Sequence, residues 1–449
     1  MQYPAINPVD LLDSTTRPMS TLWATPMCVF VMQLSCKDWV WVSPRIGVKL
    51  FCLIHESQIN TVRIYNLNPS LDHNECASIY NAAGIYLVLD VNSPLPHQSL
   101  NREDPEETYH SDYMERVFAV IENFKNFPNV LGFFSGNEII NEDSVVEVPA
   151  YIRAVTRDMK DYIAKQAERD IPVGYSAADV RPMLENTANY LSCEIEDEPS
   201  SKIDFFGLNS YSWCGDSTFE EAGYDVLVKD FEKSAVPVFF SEYGCNEVTP
   251  RVFGEIEAVY SDQMTGVFSG GLIYEYTQED NKYGLVELDG DDAQLLEDFD
   301  NLQTQLEKLD YNELQSVESA DTNITPPKCS KDLLDGPAGN FSTEFTLPER
   351  PDGVDDMINN GIDDPNTGEL VDVSNTEVQS TVTDTNGEVI EGLALNKLED
   401  DESNTPSTAP SDGSGDDGSD QNAASPRSQI GNFLTLVTVA GVLCAVMGW

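Results

Sequence analysis

Positive charge is scarce in this chain. Its 449 residues hold 25 Lys and Arg against 78 Asp and Glu, a formal charge of -53. Nucleic-acid binding needs a basic stripe that neutralises phosphates, so nucleic-acid partners are excluded. Histidine is scarcer still: His55, His73, His97 and His110 are the only four, and none falls in HExxH spacing. The nine cysteines (Cys28, Cys36, Cys52, Cys76, Cys193, Cys214, Cys245, Cys329 and Cys444) include no CxxC pair. Neither a zinc centre nor a thioredoxin-like site is therefore expected, and no cofactor or metal is called for. Scattered cysteines in an acidic chain fit disulfides in an oxidising compartment. The sequons Asn323-Ile-Thr325 and Asn340-Phe-Ser342 fit glycosylation there.

What is present, from residue 60 onward, is a regular alternation. Strand-like apolar runs fall at Asn60–Tyr65, Ile85–Val91, Val130–Ser135, Ile171–Ser176, Asp204–Tyr211, Val236–Ser241 and Gly270–Tyr276. Helical spacing fills most of the gaps. In Tyr113–Phe127, Val117, Val120, Ile121 and Phe124 share a face; in Pro149–Glu168, Ile152, Val155, Met159, Tyr162 and Ile163 do. Continuous strands alternating with amphipathic helices predict a parallel sheet covered on both faces. Seven such strands predict a (β/α)8 TIM barrel whose first strand is missing or divergent. A doubly wound open sheet is disfavoured, because no glycine-rich phosphate turn follows the first run.

Two of these runs end in a glutamate beside glycine: Gly136-Asn137-Glu138 and Ser241-Glu242-Tyr243-Gly244. Numbered as barrel strands, they are the fourth and seventh. A single strand-end Glu is as a rule solvated or salt-bridged. Two at the C-terminal mouth of a barrel supply the acid/base and nucleophile that glycosidic-bond chemistry needs.

The ends of the chain differ from its middle. Residues 1–57 read as divergent. Met1–Asp10 has no signal-peptide character, and the apolar Met27–Leu34 after Arg17 is a candidate h-region with Pro18, Pro26 and Lys37 around it. A misassigned N-terminal gene model fits this pattern. Residues 58–310 are expected to form the barrel, and 311–402 an extension. Asn366-Thr-Gly368 and Asn386-Gly387 in that extension give hairpin signals. Residues 403–429 form a Ser-, Asp- and Gly-rich linker and 430–449 an apolar tail. Small residues at Asn422-Ala423-Ala424, a polar spacer and that tail match a GPI-attachment signal with Asn422 as acceptor, the alternative being a tail anchor.

The strand motifs also carry a resemblance. Thr61-Val-Arg-Ile-Tyr65, Leu71-Asp-His-Asn-Glu-Cys76, Val130-Leu-Gly-Phe-Phe-Ser-Gly-Asn-Glu138 and Ile171-Pro-Val-Gly-Tyr-Ser176 belong to one set. Asp204-Phe-Phe-Gly-Leu-Asn-Ser-Tyr-Ser-Trp-Cys-Gly-Asp216, Phe239-Phe-Ser-Glu-Tyr-Gly-Cys-Asn-Glu247, Tyr260-Ser-Asp-Gln-Met264 and Asn281-Lys-Tyr-Gly-Leu285 complete it. Over roughly Gln58 to Lys331 the chain resembles the fungal Gas/Gel/Phr β-1,3-glucanosyltransferases of glycoside hydrolase family 72, in the branch without a Cys-rich carbohydrate-binding module. The resemblance implies a secreted, GPI-anchored enzyme at the outer face of the plasma membrane and in the cell wall. It implies β-1,3-glucan chains as donor and acceptor, Glu138 as acid/base and Glu242 as nucleophile. It further implies the disulfides Cys214–Cys245 and Cys193–Cys329, with Cys36 or Cys52 as possible partners of Cys76.

The expected reaction is a retaining double displacement in which a second glucan, rather than water, takes the glycosyl group. Transfer needs an acceptor site that displaces water. Tyr211, Trp213, Tyr243, Tyr274 and Tyr276 are candidate sugar platforms. Asn137 is the candidate partner of the sugar 2-hydroxyl, and Tyr65, Asp90 and Asn209 are further strand-end candidates. Arg63 is placed in the barrel mouth, either orienting Glu242 or forming a structural ion pair. A β-1,3-glucan hydrolase and a non-catalytic glucan-binding wall protein are the alternative readings.

Overall fold

The chain's computed structural model describes residues 27–31, 59–142, 147–316, 324–334, 342–378 and 380–398. The seven expected runs all become parallel strands, because each is apolar on both faces and must be covered on both. They are β2 (Thr61–Ile64), β3 (Tyr86–Asp90), β4 (Val130–Asn137), β5 (Val173–Ala178), β6 (Phe206–Asn209), β7 (Val238–Tyr243) and β8 (Phe268–Ile273). The remaining place is filled by β1 (Met27–Val31), which pairs in parallel with both β2 and β8 and closes the ring. The first strand is thus divergent rather than missing. It lies in the apolar stretch that also reads as an h-region.

The outer layer follows the helical spacing. The Ser111–Phe124 helix buries Tyr113, Val117, Val120, Ile121 and Phe124 against the barrel, and His110 caps it by accepting from the Tyr113 N–H. The Val148–Gln166 helix buries Ile152, Val155, Met159, Tyr162 and Ile163. The barrel interior is a separate cluster of Val88, Leu131, Phe134, Phe205, Phe239 and Leu272. Phe205 fits there only because Gly174 is bare: a Cβ on Gly174 would lie 2.3 Å from the Phe205 ring.

Two local features position the mouth. Phe134 pairs with Gly174, but Asn137 pairs with Ser176, so β4 holds one extra residue just before its end. Leu208 pairs with Phe240, but Asn209 pairs with Glu242, so β7 is bulged at Ser241. Bulges are uncommon in parallel pairs and re-aim the side chains that follow them. Here each lies immediately before a glutamate.

After β8 the chain forms a hairpin, β9 (Val286–Asp289) and β10 (Asp292–Leu295), around Gly290 at φ 59. β11 (Val382–Thr383) joins β10 in parallel, and Asn386-Gly387 makes the expected tight turn back onto it. Asn366-Thr-Gly368 does not form a hairpin. It clamps the extension onto the barrel: Asn366 Nδ2 donates to Leu71 O at 2.7 Å and Thr367 Oγ1 to Glu122 Oε2 at 2.9 Å. Arg350 pairs with the buried Asp158 at 2.8 Å, and Phe345 stacks on Tyr190, so residues 342–398 wrap the barrel helices.

No helix among the described residues is long and apolar enough to cross a membrane. Asn323, Asn340, Asn422, Cys36, Cys52 and the apolar tail lie outside the described residues.

Candidate active site

The site is built on the floor of the barrel mouth. The Phe134, Phe205 and Phe239 rings pack against one another with centroids 5.2–6.2 Å apart. Above them lies the Arg63 guanidinium, fully buried, 4.5 Å from the Phe134 centroid and 4.4 Å from that of Tyr65. A charge in such a place survives only if every N–H is used. Nε and Nη2 grip Asp90 at 2.8 and 3.0 Å, and Nη2 reaches Asn137 Oδ1 at 2.9 Å. Nη1 donates to Ser241 O and Glu242 Oε1, both at 3.2 Å. Burial alone would lower its pKa, but Asp90 first, with Tyr65 and Glu242, holds it above its ordinary value, so it stays charged. The alternatives posed for Arg63 are therefore not exclusive, since one side chain makes the Asp90 ion pair and orients Glu242.

Glu242 is 8% exposed. Tyr65 and Tyr211 each donate a phenolic hydrogen to it, at 2.7 Å on Oε1 and 2.7 Å on Oε2. Burial, with the charge of Glu138, holds its carboxyl pKa above the ordinary value, and Arg63 and the two tyrosine hydroxyls offset part of that rise. Both tyrosines are themselves held well above their usual range, chiefly by burial, so they remain protonated donors.

Glu138 follows β4 with φ 50, a left-handed conformation that a non-glycine residue seldom adopts. Its N–H bonds Ser176 O at 2.8 Å, and its carboxyl accepts from Asn209 Nδ2 at 2.9 Å. The orientation of Asn209 is fixed by its other end. Its Oδ1 faces the Ser176 and Ser241 hydroxyls at 3.0 and 2.8 Å, so the amide nitrogen must face Glu138 and Asn137. Asn137 is fixed in the same way: its oxygen faces Arg63 and Asn209, which leaves its Nδ2 for a ligand. A cavity of about 390 Å³ opens over these groups, lined among others by Tyr65, Asp90, Asn137, Glu138, Glu242 and Tyr274. That volume lies within the roughly 300–1,000 Å³ of small-molecule sites.

The structure thus brings together Glu138, Glu242, Tyr65, Asn137, Asn209, Tyr211, Tyr274, Asp90 and Arg63. Of the platform candidates, Tyr211 and Tyr274 stand at the mouth in an edge-to-face pair. Tyr243 and Tyr276 are core residues, and Trp213 packs on Tyr224 away from the cavity. Sequence reasoning missed Tyr283, whose ring edges both Tyr211 and Tyr274 at 5.7 and 5.1 Å. It also missed Ser176 and Ser241, whose only sequence signal is their place on β5 and β7. The Cys214–Cys245 disulfide joins the loop carrying Tyr211 to the segment after Glu242, and Cys193–Cys329 ties the end of the Arg181–Ser192 helix to residue 329. Cys76 has no disulfide partner among the described residues.

Residues 44–310 match the model of the glucanosyltransferase family, glycoside hydrolase family 72. The 1,3-beta-glucanosyltransferase gel2 of Aspergillus fumigatus is 56% identical over 355 residues, 79% of this chain and 74% of gel2. Saccharomyces cerevisiae 1,3-beta-glucanosyltransferase GAS5 is 44% identical over 309 residues, 68% of this chain and 62% of that protein. The structure resembles that of S. cerevisiae Gas2p in complex with laminaritriose and laminaritetraose, with a TM-score of 0.62 and 35% identity over 73% of each chain.

Removal of the central cation tests this architecture. Arg63→Met should cost about 3–5 kcal/mol, because Asp90 is left buried and unpaired. Asp90→Asn in the same chain should restore part of that loss. Urea unfolding of the three proteins measures it, and a loss below about 1 kcal/mol for Arg63→Met would count against the assignment.

Proposed function

This chain belongs to the glucanosyltransferase family, glycoside hydrolase family 72, and from that premise we propose how its site works as a 1,3-β-glucanosyltransferase. The observation that carries the reading is the pair of carboxyl groups held in unlike environments. Both oxygens of Glu242 are fixed by Arg63, Tyr65 and Tyr211, as a nucleophile requires, whereas among the described residues the Glu138 carboxyl accepts from the Asn209 amide and otherwise faces the cavity.

Glu242 is the nucleophile. Tyr65, Tyr211 and Arg63 hold its two oxygens in place, and one of them attacks the anomeric carbon of a bound β-1,3-glucan. Glu138 donates its proton to the departing glycosidic oxygen, and the reducing-end fragment leaves. A covalent glycosyl ester on Glu242 results. The 3-hydroxyl of a second glucan then enters, Glu138 takes its proton, and attack on the anomeric carbon frees Glu242. The new β-1,3 bond lengthens the acceptor and configuration is retained. The Asn137 amide donates to the sugar 2-hydroxyl, where contacts strengthen in the transition state. The tyrosines at the mouth favour a sugar over water as acceptor. Asn422 is the proposed GPI-attachment point, placing the enzyme at the outer face of the plasma membrane, where wall glucan is within reach.

Two outcomes test this. Glu138→Gln and Glu242→Gln should each slow elongation of laminari-oligosaccharides by roughly 10²–10⁴-fold, read as product size against time. Near-parental elongation by either variant removes that residue from its role, and purely shorter products from the parent enzyme would mean a hydrolase. The second outcome concerns pH. Glu242 must be ionised to attack, and the Tyr211 hydroxyl offsets part of the rise in its pKa that burial causes. Tyr211→Phe should therefore move the acid limb of kcat/KM to higher pH. A limb that stays in place or moves down contradicts the assigned hydrogen bond.

A further inference from the structure

Three segments that shape the mouth meet at one side chain outside the carboxylate network. Arg251 is 2% exposed. Its Nη1 donates to Gly244 O at 3.2 Å and Tyr274 O at 2.7 Å, and its Nη2 to Tyr283 O at 2.5 Å. Gly244 lies two residues after Glu242, Tyr274 follows β8, and Tyr283 sits in the loop before β9. Asp298, on the Glu297–Leu306 helix, fixes the guanidinium from behind through Nε at 2.6 Å and the Arg251 backbone N–H at 3.0 Å. The planar fork suits three carbonyls arriving from different directions, and the single ammonium of a lysine could not hold all three in register.

Two of the three carbonyls it holds, those of Tyr274 and Tyr283, belong to residues whose rings form the platform. Tyr274 and Tyr283 meet edge to face at 5.1 Å, and both rings meet Tyr211, whose hydroxyl bonds Glu242. We propose that Arg251 is a positioning residue for the acceptor sugar. Through these backbone carbonyls it sets the spacing of the tyrosine rings, and so the share of glycosyl groups passed to sugar rather than to water. This rests on the transferase reading above.

The test uses a laminari-oligosaccharide donor over a range of acceptor concentrations, counting transferred and hydrolysed product separately. The parent is compared with Arg251→Lys, Asp298→Asn, Tyr283→Ala and the double variant Arg251→Lys/Tyr283→Ala. In Arg251→Lys the transferred-to-hydrolysed ratio should fall about 3–10-fold, more than total donor consumption does, and half-maximal transfer should need more acceptor. Asp298→Asn should shift the ratio in the same direction, and it carries the test if Arg251→Lys does not fold. The double variant should be no worse in ratio than Tyr283→Ala, because both changes act on one platform. An unchanged ratio with total turnover falling as folded protein falls would make Arg251 merely structural and overturn the proposal. A double variant whose losses multiply would also overturn it. A parent that only shortens its donor overturns the transferase reading as well, whereas an elongating parent with unaltered variant ratios overturns the role of Arg251 alone.

Discussion

The site depends on one buried cation. Arg63 is fully buried, so its environment must supply a partner for every N–H. Those partners are five residues on four strands: Asp90 from β3, Asn137 from β4, Asn209 from β6, and Ser241 and Glu242 from β7. Satisfying one guanidinium therefore brings together segments far apart in sequence. The aromatic rings sharpen the demand, because the ring centroids of Phe134 and Tyr65 lie 4.5 and 4.4 Å from the guanidinium and their faces offer it no lone-pair acceptor.

The same cation fixes the position of one of the two glutamates. Glu242 receives a cation and two hydroxyl hydrogens, which offset part of the rise in pKa that burial and the charge of Glu138 cause. Glu138 lies at the edge of that field, partly exposed, and touches the network through Asn209. Neither placement would exist in regular strands. The extra residue in β4 and the one in β7 turn both carboxyl groups into the cavity, and Glu138 adopts a left-handed backbone to complete its turn.

How much of this was legible varies with the range of the interaction. Seven strands were readable because a strand covered on both faces is a continuous apolar run, a local property. Glu138 and Glu242 stood out because strand-end carboxylates beside glycine are few. Met27–Val31 was not identifiable as a strand, because a short apolar run beside Pro26 fits a signal segment equally well. The bulges left no trace, since register is settled between strands rather than within one. Tyr283 looked like any loop tyrosine, while Tyr243 and Tyr276 had the right residue type at strand ends and were nevertheless core. Asn366-Thr-Gly368 carried turn chemistry that was used to grip the barrel instead of to reverse the chain.

The central claim is that Glu242 becomes covalently attached to the donor sugar while Glu138 handles protons. The most direct measurement is mass spectrometry of the protein after reaction with a 2-deoxy-2-fluoro β-glucosyl donor bearing an activated leaving group. Such a donor forms the glycosyl ester but slows its release. The account predicts one added glycosyl group per chain, located on Glu242 after digestion, and chased off by a laminari-oligosaccharide acceptor with elongation of that acceptor. A glycosyl group on any other residue, or turnover of the donor with inversion at the anomeric carbon, would contradict it.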